Sequence, residues 1–282
     1  MTATSLRRSR SLAGLFAAVL ACAGIAADVA PASAAPAAGA PTLSLSSVEY
    51  VALGDSYAAG QGALGDGDVC ERTRLAYPSL LDLVPTVKLV TNAACTGATT
   101  AIVATTQLGA LTSTTRLVTL TVGVNDLGLV QTLGACTIDP GSEVCTGGIA
   151  QIGVELDKAL HGEPNVFSTA GVAVAGLLQA IRSKSPKAKI VVTGYPRSFE
   201  PVADQPLYDL VNTGTDALNQ ALAGAVTASG VGNSRFVDVT SLFLRHGVNS
   251  RIPWLIPSGP DAFHPNALGQ AAYAYAVGKA AF

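Results

Sequence analysis

The chain has 282 residues and a formal net charge of -2, and 49% of its residues are hydrophobic while only 13% are charged. This length suffices for one α/β domain with a full core. Because the sequence has no basic stripe and no acidic tail, its charge does not indicate nucleic acid or an anionic membrane as a partner.

The N-terminal segment has the three parts of a secretory signal. Arginines at positions 7, 8 and 10 precede an apolar stretch over residues 12–27, and an Ala-Ser-Ala-Ala sequence ends at Ala35. A basic region, an apolar region too short for a comfortable membrane span and an Ala-x-Ala site are typical of export. The segment therefore predicts a secreted protein.

This signal also sets the predicted domain boundaries. We predict a signal peptide over residues 1–34 with cleavage after Ala34, a flexible Ala/Pro leader over 35–46 and a single domain over 47–282. A lipoprotein anchor at Cys22 is the alternative, but Leu20, two residues earlier, fits that signal poorly. No later segment is predicted to span a membrane.

Short runs of Val, Leu and Ile alternate with helical stretches along the rest of the chain. The predicted strands are residues 49–53, 87–92, 117–122, 189–193 and 235–239. The predicted helices are residues 77–83, 99–107, 166–182, 207–229 and 266–282. This alternation predicts right-handed βαβ units, a parallel sheet and helices on both faces. The glycine-rich stretch 133–148 is predicted to be a loop inserted after the third strand.

Polar or glycine-bearing turns follow the predicted strands. They contain Ser56 after the first strand, Gly97 after the second, Asn125 after the third, and Asp261 and His264 after the fifth. Ligands of such a sheet bind beyond the carboxyl ends of its strands, so these turns are expected to meet at one edge. The sequence therefore predicts a site there.

These residue types are the ones that acyl transfer to serine needs: a nucleophile, a base, a group that orients the base, and donors for the oxyanion. Of the three histidines, only His264 stands three residues after an acid. We predict that Ser56 is the nucleophile and His264 the base. On one helical turn, the Asp261 carboxylate would accept a hydrogen bond from Nδ1–H of His264. The predicted oxyanion donors are the amides of Ser56 and Gly97 and the side chain of Asn125.

Each of these turns also has an ordinary structural explanation. Taken alone, Ser56 is a helix N-cap, Asn125 belongs to a turn, His264 starts a helix and Asp261 is a cap. Other motifs fit worse. The Gly-x-Ser-x-Gly pentapeptide of the other common serine esterase scaffold does not occur, and a P-loop lysine is missing after the first strand. The spelling Gly-x-Gly-x-x-Gly at 60–65 begins past the strand end and runs into Asp-Gly-Asp, so it is interpreted as a loop.

Four cysteines follow the predicted signal, namely Cys70, Cys95, Cys136 and Cys145. An even number in an exported chain predicts two disulfides, and four cysteines allow three pairings. We favour Cys70–Cys95 and Cys136–Cys145 because each closes a local loop beside an expected active-site turn. No Cys-x-x-Cys occurs and no histidine is close in sequence to a cysteine pair, so neither a metal site nor a cofactor is predicted.

The chain resembles the SGNH (GDSL) hydrolase superfamily, and within it the secreted actinobacterial lipases and esterases. The resemblance covers nearly the whole mature chain and is carried by YVALGDSYAAGQG, NAACTGATT, LVTLTVGVNDLG and DAFHPNALGQ. The four family blocks match Ser56, Gly97, Asn125 and His264, with Asp261 at the usual position of the acid. Some members of the family orient the histidine with a main-chain carbonyl oxygen, so that alternative to the Asp261 carboxylate stays open. The resemblance implies a three-layer α/β/α, flavodoxin-like fold with five parallel strands, and metal-independent ester hydrolysis through an acyl-enzyme.

The chain departs from the family pattern in two respects. The third block reads Gly-Val-Asn-Asp where many secreted relatives have Gly-Gly-Asn-Asp, so Val124 is expected to narrow that turn. Secreted relatives often carry three disulfides and this chain has cysteines for two, so the loop after Tyr195 is expected to be less constrained.

Two groups of apolar residues flank the predicted site. They are Leu127, Leu129 and Val130, and Ile252, Trp254, Leu255 and Ile256. Such residues indicate either core packing or a groove for an acyl chain, and the resemblance favours fatty-acyl esters such as triglyceride or phospholipid. The prediction is thus a secreted carboxylic ester hydrolase of the lipase or esterase type that acts in lipid degradation. A carbohydrate deacetylase or arylesterase, and a non-catalytic cell-envelope binding protein, remain the alternatives. Nothing in the sequence indicates an oligomer, so a monomer without stable membrane insertion is expected.

Overall fold

The structure is a computed structural model that describes residues 47–65 and 67–282. The predicted signal peptide and leader lie outside the described residues, so these boundaries stay predictions. Five parallel strands form one sheet in the order β2-β1-β3-β4-β5. The strands are β1 Val48–Gly54, β2 Val87–Asn92, β3 Leu117–Thr121, β4 Lys189–Thr193 and β5 Ser234–Val237.

Helices cover both faces of this sheet. The α-helices are α1 Ser56–Ala59, α2 Tyr77–Leu81, α3 Thr100–Ile102, α4 Leu129–Ile138, α5 Glu143–Leu160, α6 Val166–Lys184, α7 Pro206–Ala228 and α8 Ala267–Ala281. Right-handed crossovers put α2 on one face, where it packs against α8, and put α3, α6 and α7 on the other face. The predicted three-layer α/β/α, flavodoxin-like fold with five parallel strands is confirmed.

The central strands are buried on both faces. All of β3 is buried, and so are the last four residues of β4, as the apolar runs without alternation predicted. Two threonines of β3 bury their hydroxyls against tyrosines. The distances are 2.8 Å between Tyr50 Oη and Thr119 Oγ1, and 2.9 Å between Tyr77 Oη and Thr121 Oγ1. These hydrogen bonds satisfy polar groups that burial would otherwise leave unpaired.

The prediction of a loop over residues 133–148 is wrong. Helix α4 runs through the first part of this stretch and α5 begins within it. Glycine lowers helix propensity by about 1 kcal/mol, which is why the sequence favoured a loop. Here Gly148 lets the two helices approach closely, because a Cβ at this position would overlap the side chain of Thr132. The Cys136–Cys145 disulfide then joins α4 to α5.

Helix α6 has the length and apolar composition of a membrane span, which the sequence analysis did not recognise. In the structure this helix contributes Phe167, Val174, Leu178 and Ile181 to the core. A core helix of an α/β domain can be as long and as apolar as a membrane span, so the buried face of α6 explains its composition.

Candidate active site

The nucleophile turn follows directly from the end of β1. Gly54 has a φ of 137°, and a Cβ there would overlap the carbonyl oxygen of Thr121 on the neighbouring strand. Only glycine fits this position without a backbone shift. Asp55 then caps α1 by accepting a hydrogen bond from the Tyr57 amide at 3.0 Å. Ser56 is therefore the first residue of a short helix at the carboxyl edge of the sheet.

A buried glutamine, Gln107, forms hydrogen bonds to the main chain of this turn. The helix predicted over residues 99–107 is α only at Thr100–Ile102 and continues as a π-helical turn over Val103–Gln107. The Gln107 side chain accepts from the Gly54 amide at 2.7 Å and donates to the Gly54 carbonyl oxygen at 2.8 Å. Two hydrogen bonds to one residue fix the main chain two positions before Ser56.

Ser56 and His264 lie within hydrogen-bonding distance. Nε2 of His264 is 2.8 Å from Oγ of Ser56, although 208 positions separate the two residues in the chain. Burial lowers the pKa of His264 from its ordinary value, and the hydrogen bond to Asp261 opposes this shift. A neutral imidazole at neutral pH has a free lone pair on Nε2 and can accept the hydroxyl proton.

The predicted contact between the Asp261 carboxylate and His264 is wrong. Nδ1 of His264 faces the main-chain carbonyl oxygen of Asp261 at 3.2 Å, while Oδ1 of Asp261 accepts a hydrogen bond from Gln61 at 3.1 Å. The cause is the local backbone. Phe263 has a φ of 68°, so the segment forms a turn rather than the helical turn that the spacing predicted. The sequence therefore identified the residue that faces Nδ1, but the atom that does so is its main-chain oxygen and not its carboxylate.

We expect Asp261→Asn to lower kcat by less than about tenfold, since the substitution keeps the carbonyl oxygen that faces Nδ1. Where a carboxylate orients the imidazole, the same change costs about 10⁴-fold in kcat. Steady-state kinetics on a soluble ester separates the two cases. The acid limb of the pH profile should also move to lower pH, because the negative charge of Asp261 raises the pKa of His264. A loss of 10³-fold or more would assign the orienting role to the carboxylate.

Two of the three residues predicted to bind the oxyanion, Gly97 and Asn125, lie on adjoining turns. Nδ2 of Asn125 donates to the carbonyl oxygen of Ala98 at 3.1 Å, so the Asn125 turn contacts the turn that contains Gly97. One of the two Nδ2 hydrogens of Asn125 stays available for a ligand. Gly97 has a φ of 72°, and a Cβ there would meet no protein atom within 4 Å. Over residues 47–65 and 67–282, the main-chain amides of Ser56 and Gly97 donate to no acceptor.

Several contacts tie the Gly97 turn to the nucleophile turn. The Cys95 amide donates to the Gly54 carbonyl oxygen at 3.0 Å, and Oγ1 of Thr96 donates to Gln61 at 2.6 Å. Both predicted disulfide pairings are confirmed, and the first, Cys70–Cys95, lies beside this turn. The second fastens α4 to α5 instead of an active-site loop.

A buried tyrosine connects the nucleophile turn to the Asn125 turn. Oη of Tyr195 donates to Oδ2 of Asp55 at 2.5 Å and accepts from the Val124 amide at 3.4 Å. Burial raises the pKa of the Asp55 carboxyl to about 7, against the opposing effect of the hydrogen bond from Tyr195. Asn219 in turn holds the main chain of Tyr195 through hydrogen bonds of 2.8 Å to both its amide and its carbonyl.

The sequence analysis missed three residues that position this site. Tyr195 stands in the segment after β4, at a strand end where the topology would have suggested a role. Gln61 belongs to the quoted stretch around Ser56, but no pattern predicted its link between Asp261 and Thr96. Gln107 had no sequence signal, because a lone glutamine in a helix indicates nothing about a contact 53 positions away.

An apolar pocket of about 30 Å³ opens beside His264. Its wall includes Val124, Leu129, Val130 and Leu133. The sequence predicted that two apolar groups serve either core packing or a groove. The first of them contributes Leu129 and Val130 to the wall of this pocket. In the second group, Leu255 is fully buried in the core and Trp254 stacks on His246 at 3.7 Å between ring centroids. Val124, which stands where many secreted relatives have glycine, places its side chain in the wall of this pocket.

No group of three or more His, Cys, Asp or Glu side chains that could hold a metal ion lies within the part of the chain that the structure describes.

Comparisons with known proteins agree with this geometry. A model of the GDSL-like lipase/acylhydrolase family matches residues 52–272. The chain is 33% identical over 233 residues to Lipase 1 of Streptomyces coelicolor, and this alignment covers 78% of this chain and 82% of that protein. It is 32% identical over 238 residues to a lipase of Streptomyces rimosus, which covers 80% of this chain and 84% of the relative.

Solved structures with the same fold include two from Streptomyces. The extracellular lipase of Streptomyces rimosus superposes with a TM-score of 0.70 at 31% identity, over 83% of this chain and all of that one. Phospholipase A1 of Streptomyces albidoflavus superposes with a TM-score of 0.71 at 31% identity, over 84% of this chain and all of that one.

Proposed function

The chain belongs to the GDSL-like lipase/acylhydrolase family and is a carboxylic ester hydrolase, and from this premise we propose that Ser56 and His264 perform the hydrolysis through an acyl-enzyme. The observation that carries the proposal is the 2.8 Å distance between Nε2 of His264 and Oγ of Ser56. A serine next to a buried neutral imidazole is the arrangement that nucleophilic acyl transfer requires.

The first half of the reaction acylates the enzyme. Oγ of Ser56 attacks the ester carbonyl carbon while Nε2 of His264 accepts the hydroxyl proton. Nδ1–H of the resulting imidazolium donates to the carbonyl oxygen of Asp261, which keeps the ring oriented. The tetrahedral intermediate then expels the alcohol, which leaves with the proton from His264.

The developing oxyanion accepts hydrogen bonds from the amides of Ser56 and Gly97 and from Nδ2 of Asn125. Loss of one such donor typically costs about 10²–10³-fold in kcat. In the second half, His264 takes a proton from water, which attacks the acyl-enzyme, and the carboxylic acid leaves. Ser56 regains its proton from His264, so no atom of the protein is consumed.

We propose fatty-acyl esters as the substrates, such as triglyceride or phospholipid. The apolar pocket beside His264 supports this choice, because apolar side chains there favour a hydrocarbon chain over a sugar. The similarity to proteins named lipase and phospholipase A1 supports it as well. We propose that the protein is secreted, which the predicted N-terminal signal sequence and the similarity to an extracellular lipase support.

Covalent labelling tests the proposed nucleophile. We expect a fluorophosphonate to add one phosphonyl group per molecule, and peptide mapping to locate it on Ser56. The Ser56→Ala protein should stay unlabelled under the same conditions. An intact mass that does not change in the wild-type protein would instead support the non-catalytic binding protein. A panel that includes acetylated sugars and aryl acetates would detect the deacetylase and arylesterase alternatives.

A further inference from the structure

A second cavity lies next to the pocket at the active site. Its volume is about 130 Å³, and its wall includes the apolar residues Leu127, Ile152 and Phe167. Leu129 lines this cavity and also the smaller pocket beside His264. Its side chain is only 4% exposed, so a buried leucine borders both spaces.

We propose that Leu129 limits the length of the acyl chain that the enzyme accepts, by closing off the larger cavity. The inference rests on the proposed function, since it assigns the pocket beside His264 to the acyl chain. In the wild-type enzyme only the first carbons of a fatty-acyl chain then find a buried site, and removal of the leucine joins the two spaces into one acyl site.

The volumes support this assignment. The pocket at His264, with about 30 Å³, has room for only about two water-sized groups, so it takes only the first carbons of a chain. The second cavity approaches the size of an engineered apolar cavity of about 150 Å³ that binds benzene, so it has room for several methylene groups. Each methylene that becomes buried strengthens binding by about fourfold.

The position of Leu129 supports its role as a partition. It is the first residue of α4 and follows Gly128, whose φ of 67° ends the turn that contains Asn125. The start of α4 thus holds the leucine close to Asn125. An acyl chain that extended from the pocket into the second cavity would pass this side chain. A change at this side chain alters the path of the chain without removing a group that donates or accepts a proton.

The polar groups at the far end of the second cavity are satisfied. Glu155 accepts hydrogen bonds from Gln151 at 2.9 Å, from Lys158 at 2.7 Å and from the Val166 amide at 2.8 Å. Its charge therefore has partners that do not depend on solvent in the cavity. A hydrocarbon chain can occupy the apolar part of the space without stripping these groups of their partners.

The test compares p-nitrophenyl laurate with p-nitrophenyl butyrate in wild type and Leu129→Ala. We expect the ratio of kcat/KM for laurate to that for butyrate to rise at least tenfold in the variant, since several methylenes gain a buried site. Adding Ile152→Phe to Leu129→Ala fills the second cavity and should return the ratio toward wild type. Ile181→Ala is the matched control: it truncates a fully buried aliphatic side chain of α6 that lines neither space.

The outcomes separate this inference from the function on which it rests. If butyrate is hydrolysed and the ratio stays within twofold of wild type, Leu129 is not the partition, while the esterase function stands. If the wild-type protein hydrolyses neither ester, the proposed function fails first. If Leu129→Ala does not fold by circular dichroism, Leu129→Val replaces it, with an expected rise in the ratio of about fourfold, because the space gained buries one more methylene of the substrate. An unchanged ratio in Leu129→Val would then overturn the inference.

Discussion

Replacing Ser56 with alanine is expected to lower kcat for ester hydrolysis by about 10⁶-fold. Removal of the nucleophilic serine of another hydrolase costs about that much, because no other group can form the acyl-enzyme. What remains is the catalysis by oxyanion donors and substrate binding, about 10³–10⁴-fold over water. The measurement is hydrolysis of p-nitrophenyl butyrate by the purified protein with and without the substitution.

Ser79→Ala is the matched control for this variant. Ser79 lies in α2, and its hydroxyl donates to the carbonyl oxygen of Thr73, at 3.3 Å. We expect this control to keep wild-type kcat, while both variants keep the wild-type melting temperature within a few degrees. Hydrolysis by Ser56→Ala within tenfold of wild type would reject a serine mechanism at this site.

Replacing His264 with glutamine should have a comparable effect on kcat. The variant loses the base that accepts the Ser56 proton, and loss of the triad histidine alone costs about as much as loss of the whole triad. His246→Gln is the matched control, since His246 stacks on Trp254 and its Nδ1 faces the Ile252 carbonyl oxygen. We expect this control to hydrolyse butyrate at close to the wild-type rate, because its imidazole takes no part in the chemistry.

The pH profile of the wild-type enzyme provides an independent test of His264. Only the neutral imidazole can accept the proton, so kcat/KM should fall as pH drops through the pKa of His264 in the free enzyme. Burial lowers this pKa, so the midpoint of the acid limb is expected below the ordinary histidine value of about 6.5. A midpoint above that value would contradict the buried, neutral imidazole.

Much of the site could be predicted from the amino-acid sequence, because the topology of a parallel sheet determines where the turns after its strands lie. Parallel strands have their carboxyl ends at one edge of a sheet, so polar turns after β1, β2 and β3 must converge there. The chain order of the strands, read from apolar runs, was enough to bring Ser56 and Asn125 to the same edge. Even the contact between Ser56 and His264 needed only the additional inference that the last loop returns to that edge.

The predictions that failed concern backbone conformation and helix packing. A spacing of three residues between Asp261 and His264 allows a helical turn, but the positive φ of Phe263 turns the carboxylate toward Gln61. Glycines between residues 133 and 148 predicted a loop, but helix contacts and a disulfide outweigh their low propensity. In the second case helix packing outweighs a cost of about 1 kcal/mol for each glycine inside a helix.

By itself, the sequence determined the positions of the strands along the chain, the edge at which the site forms, and Ser56 and His264 as the residues that meet there. These follow from periodicity and from the geometry of parallel sheets, which act along the chain. Only the tertiary structure decided which atom of Asp261 orients the imidazole, which glutamine holds Gly54, and that Leu129 stands between two cavities. Those contacts join side chains from distant elements, and the relative placement of such elements is set by packing rather than by a local pattern.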